Sequence, residues 1–203
     1  MRGTTIFFDL ETGGVEPHHP NVQIAAVAVR DWKEVGAFER KIEFEPAACD
    51  PAALRINGYK ADAWKGAVAE RVAMREFDEF CQSFGDLVLT SQRTGRPYTV
   101  ARLAGHNITA FDLPRTRAAM DRAGVGFWKG CWWYPLDTYQ RAVWHFEERG
   151  LQPPADYKLQ TLARHFNLPA QGAEHEALAD VRLTALLARE LVFQGQMPPL
   201  DVV

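Results

Sequence analysis

The chain opens on a continuous apolar run, Thr4 to Leu10, rich in β-forming residues. Such a run predicts a short strand buried on both faces. It ends in the turn-rich Thr12-Gly13-Gly14. Asn21 to Arg30 and Val35 to Phe44 read as two further strands, joined through a hairpin connection at Asp31-Trp32-Lys33-Glu34. After Pro51 the pattern turns helical. Val68 to Phe84 places Val72, Phe77, Phe80 and Phe84 at helical spacings before Gly85 stops it. Leu87 to Leu89 and Tyr98 to Gly105 are strand-like, around the turn formers Thr94-Gly95-Arg96-Pro97. A helix is predicted from Asp112 to about Ala123, ending at Gly124, and one more strand at Trp133 to Leu136. Helices over Thr138 to Glu148, Leu159 to Phe166 and about Glu176 to Phe193 close the chain. Strands first, then helices alternating with strands, imply an α/β domain with a mixed sheet.

Length and composition narrow the class. With 203 residues, 47% hydrophobic and 24% charged, the chain suits one folded domain spanning 1–203. Its formal net charge of −3 excludes a passive, strongly basic nucleic-acid coat protein, but not an enzyme with an acidic site. Cys49, Cys81 and Cys131 are odd in number and widely spaced, which disfavours a disulfide framework and suits a reducing, cytoplasmic compartment. Asp9 arrives too early for a signal-peptide apolar region, and no uncharged run approaches the length of a membrane span. A soluble, intracellular protein without membrane contact is expected.

Acidic residues supply the candidate chemistry. In Asp9-Leu10-Glu11, strand alternation puts both carboxylates on one face, close enough to share a cation, and Phe7 lies on that face too. A strand end reaching solvent would read the same way. Asp180 is more telling, because it shares its helical face with Leu183, Thr184, Leu187 and Leu191. That stripe is the wrong side for a solvated acid, and neither Arg182 nor Arg189 shares it. A metal or another buried partner is indicated. His175 precedes Asp180 by five residues, a turn of about 140° away within one helix. The two serve one site only if His175 sits on a loop, which Gln171-Gly172-Ala173-Glu174 provides. Asp112 opens a helix after Gly105-His106-Asn107-Ile108-Thr109-Ala110-Phe111, where an acid also simply complements the helix dipole. His18, His19 and His145 read as surface histidines.

Taken in order, Asp-x-Glu on the first strand, His-Asn-x-x-x-Phe-Asp in the middle and His-x4-Asp at the last helix resemble the DEDDh branch of the DnaQ-like exonucleases. The resemblance runs from about Thr5 to about Leu191, with support from Val22 to Val27, Pro135-Leu136-Asp137-Thr138 and Leu159 to Phe166. It implies a ribonuclease H-like fold, a central mixed sheet flanked by helices. It also implies 3′→5′ hydrolysis of nucleic acid with release of nucleoside monophosphates. Asp9, Glu11, Asp112 and Asp180 would hold two Mg²⁺ or Mn²⁺ ions, Asp9 bridging both, and His175 would take a proton from the attacking water. Oxygen-only ligands suit those ions better than zinc.

By the same resemblance, Thr12 and Gly13 would lie against a terminal nucleotide, and Leu54, Ile56 and Asn57 would form the segment that packs on its base. Thr12 equally reads as a turn former, and Leu54 and Ile56 as core. The segment Leu87 to Val100, with Arg93, Arg96 and Arg102 near it, predicts an extra hairpin that either touches phosphates or is merely solvated. The aromatic run Phe127 to Tyr134 reads first as core or subunit contact and second as a base-stacking surface. Three functional readings follow: a DNA exonuclease for proofreading, repair or degradation, acting on a free and single-stranded 3′ end; an RNA 3′-trimming enzyme on the same scaffold; and a nuclease fold kept as a binding module. Oligomeric state is not encoded in any of these motifs.

Overall fold

In the computed structural model, the described residues are 3–172 and 176–193, with the side chains of 128 and 129 left aside. Strand β1 (Thr4–Thr12) lies in the middle of the main sheet. Ile6, Phe7, Phe8 and Leu10 are buried on its two faces, which explains the unbroken apolar run. It pairs antiparallel with β2 (Asn21–Arg30), which pairs antiparallel with β3 (Lys33–Lys41). The hairpin is tighter than the four residues expected. Only Asp31 and Trp32 turn, with φ of 50° and 63°, and pairing resumes at Arg30↔Lys33. Two consecutive left-handed residues match the twist of the strands they join. Trp32 is a bulky occupant of that position, and its ring rests 5.5 Å from Phe193. Strand β3 stops at Lys41 rather than Phe44, because Ile42 instead bridges to Val68.

Helix α1 (Pro51–Ile56) is followed by α2 (Glu70–Phe84). Helix α2 buries Ala73, Met74, Phe77 and Cys81 against one face of the sheet, where Phe77 lies 5.3 Å from Phe8 and 5.9 Å from Phe38. Its stripe is thus rotated from the one expected: Val72 is half-buried, and Phe80 and Phe84 pack at the rim. Strands β4 (Leu87–Thr90) and β5 (Pro97–Val100) form the extra hairpin, a separate two-stranded sheet. The expected strand Tyr98 to Gly105 is therefore divided. Its first half is β5, and its second half is β6 (Arg102–Gly105), parallel to β1 in the main sheet. Ala101 is the handover, bridged to Cys131.

Helices α3 (Asp112–Arg122) and α4 (Phe127–Gly130) complete the layer begun by α2. The strand expected at Trp133 to Leu136 is reduced to β7 (Leu136–Asp137), the edge of a five-stranded sheet ordered β3-β2-β1-β6-β7 among the described residues. Helices α5 (Thr138–Arg149), α6 (Leu159–His165) and α7 (Ala177–Phe193) cover the opposite face. Ala177 and Val181 of α7 pack with Phe7, Ala25 and Val27, while Leu187 and Leu191 pack with Ala142, Phe146 and Leu162. The architecture is a mixed sheet between two helical layers. Among the described residues, no helix is long and apolar enough to cross a membrane.

His145 corrects an expectation. It is buried at 5% exposure, with Arg149 Nη1 donating to its Nδ1 at 2.6 Å and rings of Phe146 and Phe166 beside it. Burial, then the Arg149 charge, hold its pKa below the usual histidine value.

Phe77 joins the sheet to α2 through two ring contacts. Phe77→Ala should lower unfolding free energy by about 3–5 kcal/mol, or roughly 2–4 °C of Tm per kcal/mol. A denaturant midpoint unchanged from the parent would show that this layer does not carry the fold.

Candidate active site

The end of β1 is where the apolar sheet meets charge. Asp9 and Glu11 project on the Phe7 side, toward α7, and both are half-buried. The register slips between Glu11↔Gln23 and Thr12↔Asn21, a bulge that turns the chain just past the second acid. Thr12 Oγ1 then donates to Gly14 O at 2.9 Å, and Gly13 N to Pro20 O at 2.8 Å. Gly13 is required by close approach, since a Cβ there would overlap the Cys49 sulfur. Helix α1 is stitched to this turn from both ends. Asp50, its N-cap, donates its N–H to Gly13 O at 2.6 Å, and Asn57, its C-cap, donates Nδ2 to Thr12 O at 2.9 Å. Leu54 is half-buried and Ile56 is 55% exposed, so Ile56 is no core residue.

Asp112 is buried and opens α3. Its Oδ1 accepts from Leu10 N at 3.0 Å. The cause lies in the sheet: β1 pairs with β6 only as far as Phe7↔Ala104, so the Leu10 N–H needs a partner beyond the ladder. One turn later, Arg115 crosses to the loop after β1. Its Nη1 donates to His19 O (3.3 Å), and Nη2 to Gly14 O (3.3 Å), Val15 O (2.7 Å) and Glu16 O (2.8 Å). Its guanidinium also lies 4.6 Å from the Phe111 ring. Arg115 carries no motif, and its role is visible only once the loop is in place.

Asp180, in the first turn of α7, is half-buried and accepts from Gln160 Nε2 of α6 at 2.8 Å. The other members of its stripe, Leu183, Thr184, Leu187 and Leu191, are buried. Arg182 turns away to make a two-pronged pair with Glu34, 2.9 Å on each arm. Gln160 was not foreseen as the partner, because glutamine on a helix carries no signal of its target. His106 was likewise unassigned. Its Nε2 meets Tyr157 O and its Nδ1 meets Thr138 Oγ1, both at 2.9 Å. The Tyr157 carbonyl requires the proton on Nε2, and burial keeps the imidazole pKa low. With both nitrogens engaged, His106 positions the cleft wall and is not a free base. His175, the expected base, lies outside the described residues.

Asp9, Glu11, Asp112 and Asp180 line one cleft of about 250 Å³, with His106, Asn107, Phe111 and Leu159. Their crowding has an electrostatic signature. Burial, then the Asp180 charge, raises Asp9 from 3.8 to about 7. Burial, then Asp9 and Asp180, raises Glu11 from 4.5 to about 8. Asp112 is pushed well above the carboxylate range by burial and by Asp9, despite the Leu10 hydrogen bond. Among the described residues, no three histidine, cysteine or acidic side chains are already gathered tightly enough to hold an ion. Still, the donor set of the four acids is all oxygen, which suits a hard divalent ion.

Solved structures share this architecture. Exonuclease I aligns over 95% of this chain and 41% of its own, with a TM-score of 0.71 and 19% identity. E. coli exonuclease I in complex with a dT13 oligonucleotide aligns over 96% of this chain and 41% of its own (TM-score 0.69, 18% identity). The zinc-bound form of the E. coli exonuclease I complex with single-stranded DNA aligns over 97% and 41% (TM-score 0.71, 19% identity). At such identities the likeness is one of fold, and the chain spans about two-fifths of the length of these proteins. No family model matches the chain, and no curated protein sequence does.

Raised carboxylate pKa values tie stability to pH. Between the ordinary values and about 7 and 8, the folded chain binds more protons than the unfolded one. Stability in chelator is therefore highest in acid and falls as pH rises through those folded values. Melting curves in EDTA should shift steadily downward from about pH 5 to about pH 8, and the shift should shrink in Glu11→Gln. Parallel profiles for the two proteins would mean that Glu11 is already ionised in the free fold. Asp180→Asn is a separate test at the alkaline end. Its amide oxygen still accepts from Gln160 while repulsion with Asp9 and Glu11 disappears, so it should melt no lower than the parent. A loss above about 1 kcal/mol would require a charged structural partner for Asp180.

Proposed function

We propose that the chain is a metal-dependent 3′→5′ exonuclease domain, acting on single-stranded DNA and releasing nucleoside monophosphates. The observation that carries this reading is the convergence of four carboxylates, from β1, α3 and α7, on one cleft. The shared fold with exonuclease I and the motif order seen in the sequence support the same assignment.

Asp9, Glu11, Asp112 and Asp180 would hold two Mg²⁺ or Mn²⁺ ions. Bound there, the ions would stabilise charge on the entering and leaving oxygens of an in-line phosphoryl displacement. The protein's own part is positional. Leu10 N fixes the Asp112 carboxylate, and Gln160 orients Asp180. The Thr12-Gly13 turn, held by Asn57 and Asp50, supplies a rigid wall for the terminal nucleotide, with exposed Ile56 and half-buried Leu54 beside it as an apolar platform for its base. His175 would accept the proton of the attacking water. His106, with both ring nitrogens engaged, does not compete for that role.

The test is digestion of 5′-labelled single-stranded and duplex DNA and of RNA. Single-stranded DNA should shorten stepwise from its 3′ end with Mg²⁺ or Mn²⁺, and EDTA should stop the reaction. Asp9→Ala should reduce cleavage to background, and full activity in that variant would refute the metal assignment. His175→Ala should slow single-turnover cleavage by about 10²–10⁴ while still binding metal and DNA. An unchanged rate would mean that another group activates the water. Faster digestion of RNA than of DNA would reassign the substrate.

A further inference from the structure

The segment leading into β7 runs beside β6 in two registers. Ala101 bridges to Cys131, and Trp132 N donates to Ala101 O at 2.8 Å. Further along, Ala104 pairs with Leu136 and Gly105 with Asp137. The edge segment therefore advances two residues more than β6 over the same stretch, and the surplus bows outward as a bulge. What it displays is aromatic. Trp133 is 53% and Tyr134 64% exposed, with ring centroids 6.2 Å apart, and Trp132 lies 5.7 Å from Tyr134. Two cations accompany the rings: Arg102 at 5.9 Å from Trp132 and Arg117 at 6.0 Å from Trp133.

The same edge leads to the cleft. Leu136 is 41% exposed, and Asp137 accepts from Asn107 N and Thr109 N, each at 3.1 Å, at the cleft rim. Tyr139, 37% exposed, lies 5.8 Å from His106 in the cleft wall. Tyr134 lies three positions before Asp137, a span of at most about 10 Å. Pro135 and Asp137 blunt this edge against pairing with another strand, and the segment beside them presents aromatic rings with guanidinium groups close by. Rings that stack on bases and cations that meet phosphates are what a flexible single strand requires.

We propose that Trp133, Tyr134 and Tyr139, with Arg102 and Arg117, form a stacking track for single-stranded nucleic acid along the β7 edge, carrying the nucleotides that lie upstream of the 3′ end in the cleft. The proposal rests on the nuclease reading above for what occupies the cleft, and it concerns affinity rather than chemistry.

Because the track lies outside the carboxylate cleft, its test is binding in EDTA, where no metal-dependent hydrolysis occurs. The probes are 5′-fluorescein oligo(dT) of three and of twelve nucleotides, read by anisotropy and by quenching of tryptophan fluorescence. The parent should bind the longer oligonucleotide more tightly. In Trp133→Ala/Tyr134→Ala, affinity for the 12-mer should fall at least about fivefold per ring, far more than for the 3-mer. Trp133→Phe/Tyr134→Phe should keep most of the parent's preference, because it keeps the rings. Trp144→Ala, a control 66% exposed on α5, should bind as the parent does. Equal 12-mer affinity in the alanine variant and the parent overturns the track, and so does a parent that binds both lengths alike. A length preference that vanishes only in the alanine variant, in a parent that never shortens DNA with Mg²⁺, upholds the track and refutes the nuclease reading.

Discussion

Repulsion among carboxylates at the edge of an apolar sheet is the constraint around which the rest of the molecule is arranged. Asp9 and Glu11 follow Phe7 on a face that α7 covers, so neither acid can escape fully to water. Asp180 comes down onto the same place from α7, and Asp112 from α3. The upward pKa shifts of Asp9, Glu11 and Asp112 come first from burial and then from the neighbouring carboxylate charges. A fold can impose such an arrangement only if each contributing element is fixed by something else. Here the apolar layers on either side of the sheet do that, through Phe77 on one face and Val181 and Leu187 on the other.

The sheet is accordingly polarised along its length. At the start of β1, Asp86 accepts from Thr4 N at 2.9 and 3.0 Å and from Thr4 Oγ1 at 2.7 Å, while Arg30 Nε donates to the same hydroxyl. That end is satisfied and paired. The β4–β5 hairpin springs from it, so Arg93 and Arg96 at its tip are rooted roughly five residues of strand, about 16 Å, from Asp9. The other end of β1 is the frustrated one, and it recruits supports from distant sequence: Asn57, Arg115 and Gln160. Crowded acidic groups collect where the sheet's ladder runs out, as is usual for sites that bind or react.

Periodicity made much of this legible before any coordinates. The double-sided burial of β1 follows from an unbroken apolar run, and Asp180 stood out because its neighbours at three, four, seven and eleven residues are all buried. Both are local signals. What could not be read depended on partners far away in the chain. Tyr98 to Gly105 looks like one strand, and only the Cys131 bridge at Ala101 divides it between two sheets. Trp133 to Leu136 looks like a strand too, but its register against β6 makes most of it a bulge. His145 has the composition of a surface residue, yet helix packing buries it behind Arg149. Exposure of Trp133 and Tyr134 is equally invisible to periodicity, since hydrophobic patterning assigns large aromatics to the interior by default.

The identity of the groups that support the acids adds a further level of argument. Asp112 is anchored by a backbone N–H and Asp180 by a glutamine amide, both neutral donors. A lysine or arginine at either place would relieve the repulsion in the free protein, and under the proposed reading it would also compete with the metal ion for that charge. Neutral dipoles orient a carboxylate without neutralising it. The nearest arginine on α3, Arg115, donates to four loop carbonyls and so stiffens the loop, while its charge also acts on Asp112 and Glu16. The cleft thereby holds its carboxylates in a fixed geometry in which burial and mutual repulsion raise the pKa values of Asp9, Glu11 and Asp112. Under the proposed reading, that stored repulsion is what a cation relieves on binding, so affinity for the ion and destabilisation of the ion-free fold arise from one and the same arrangement.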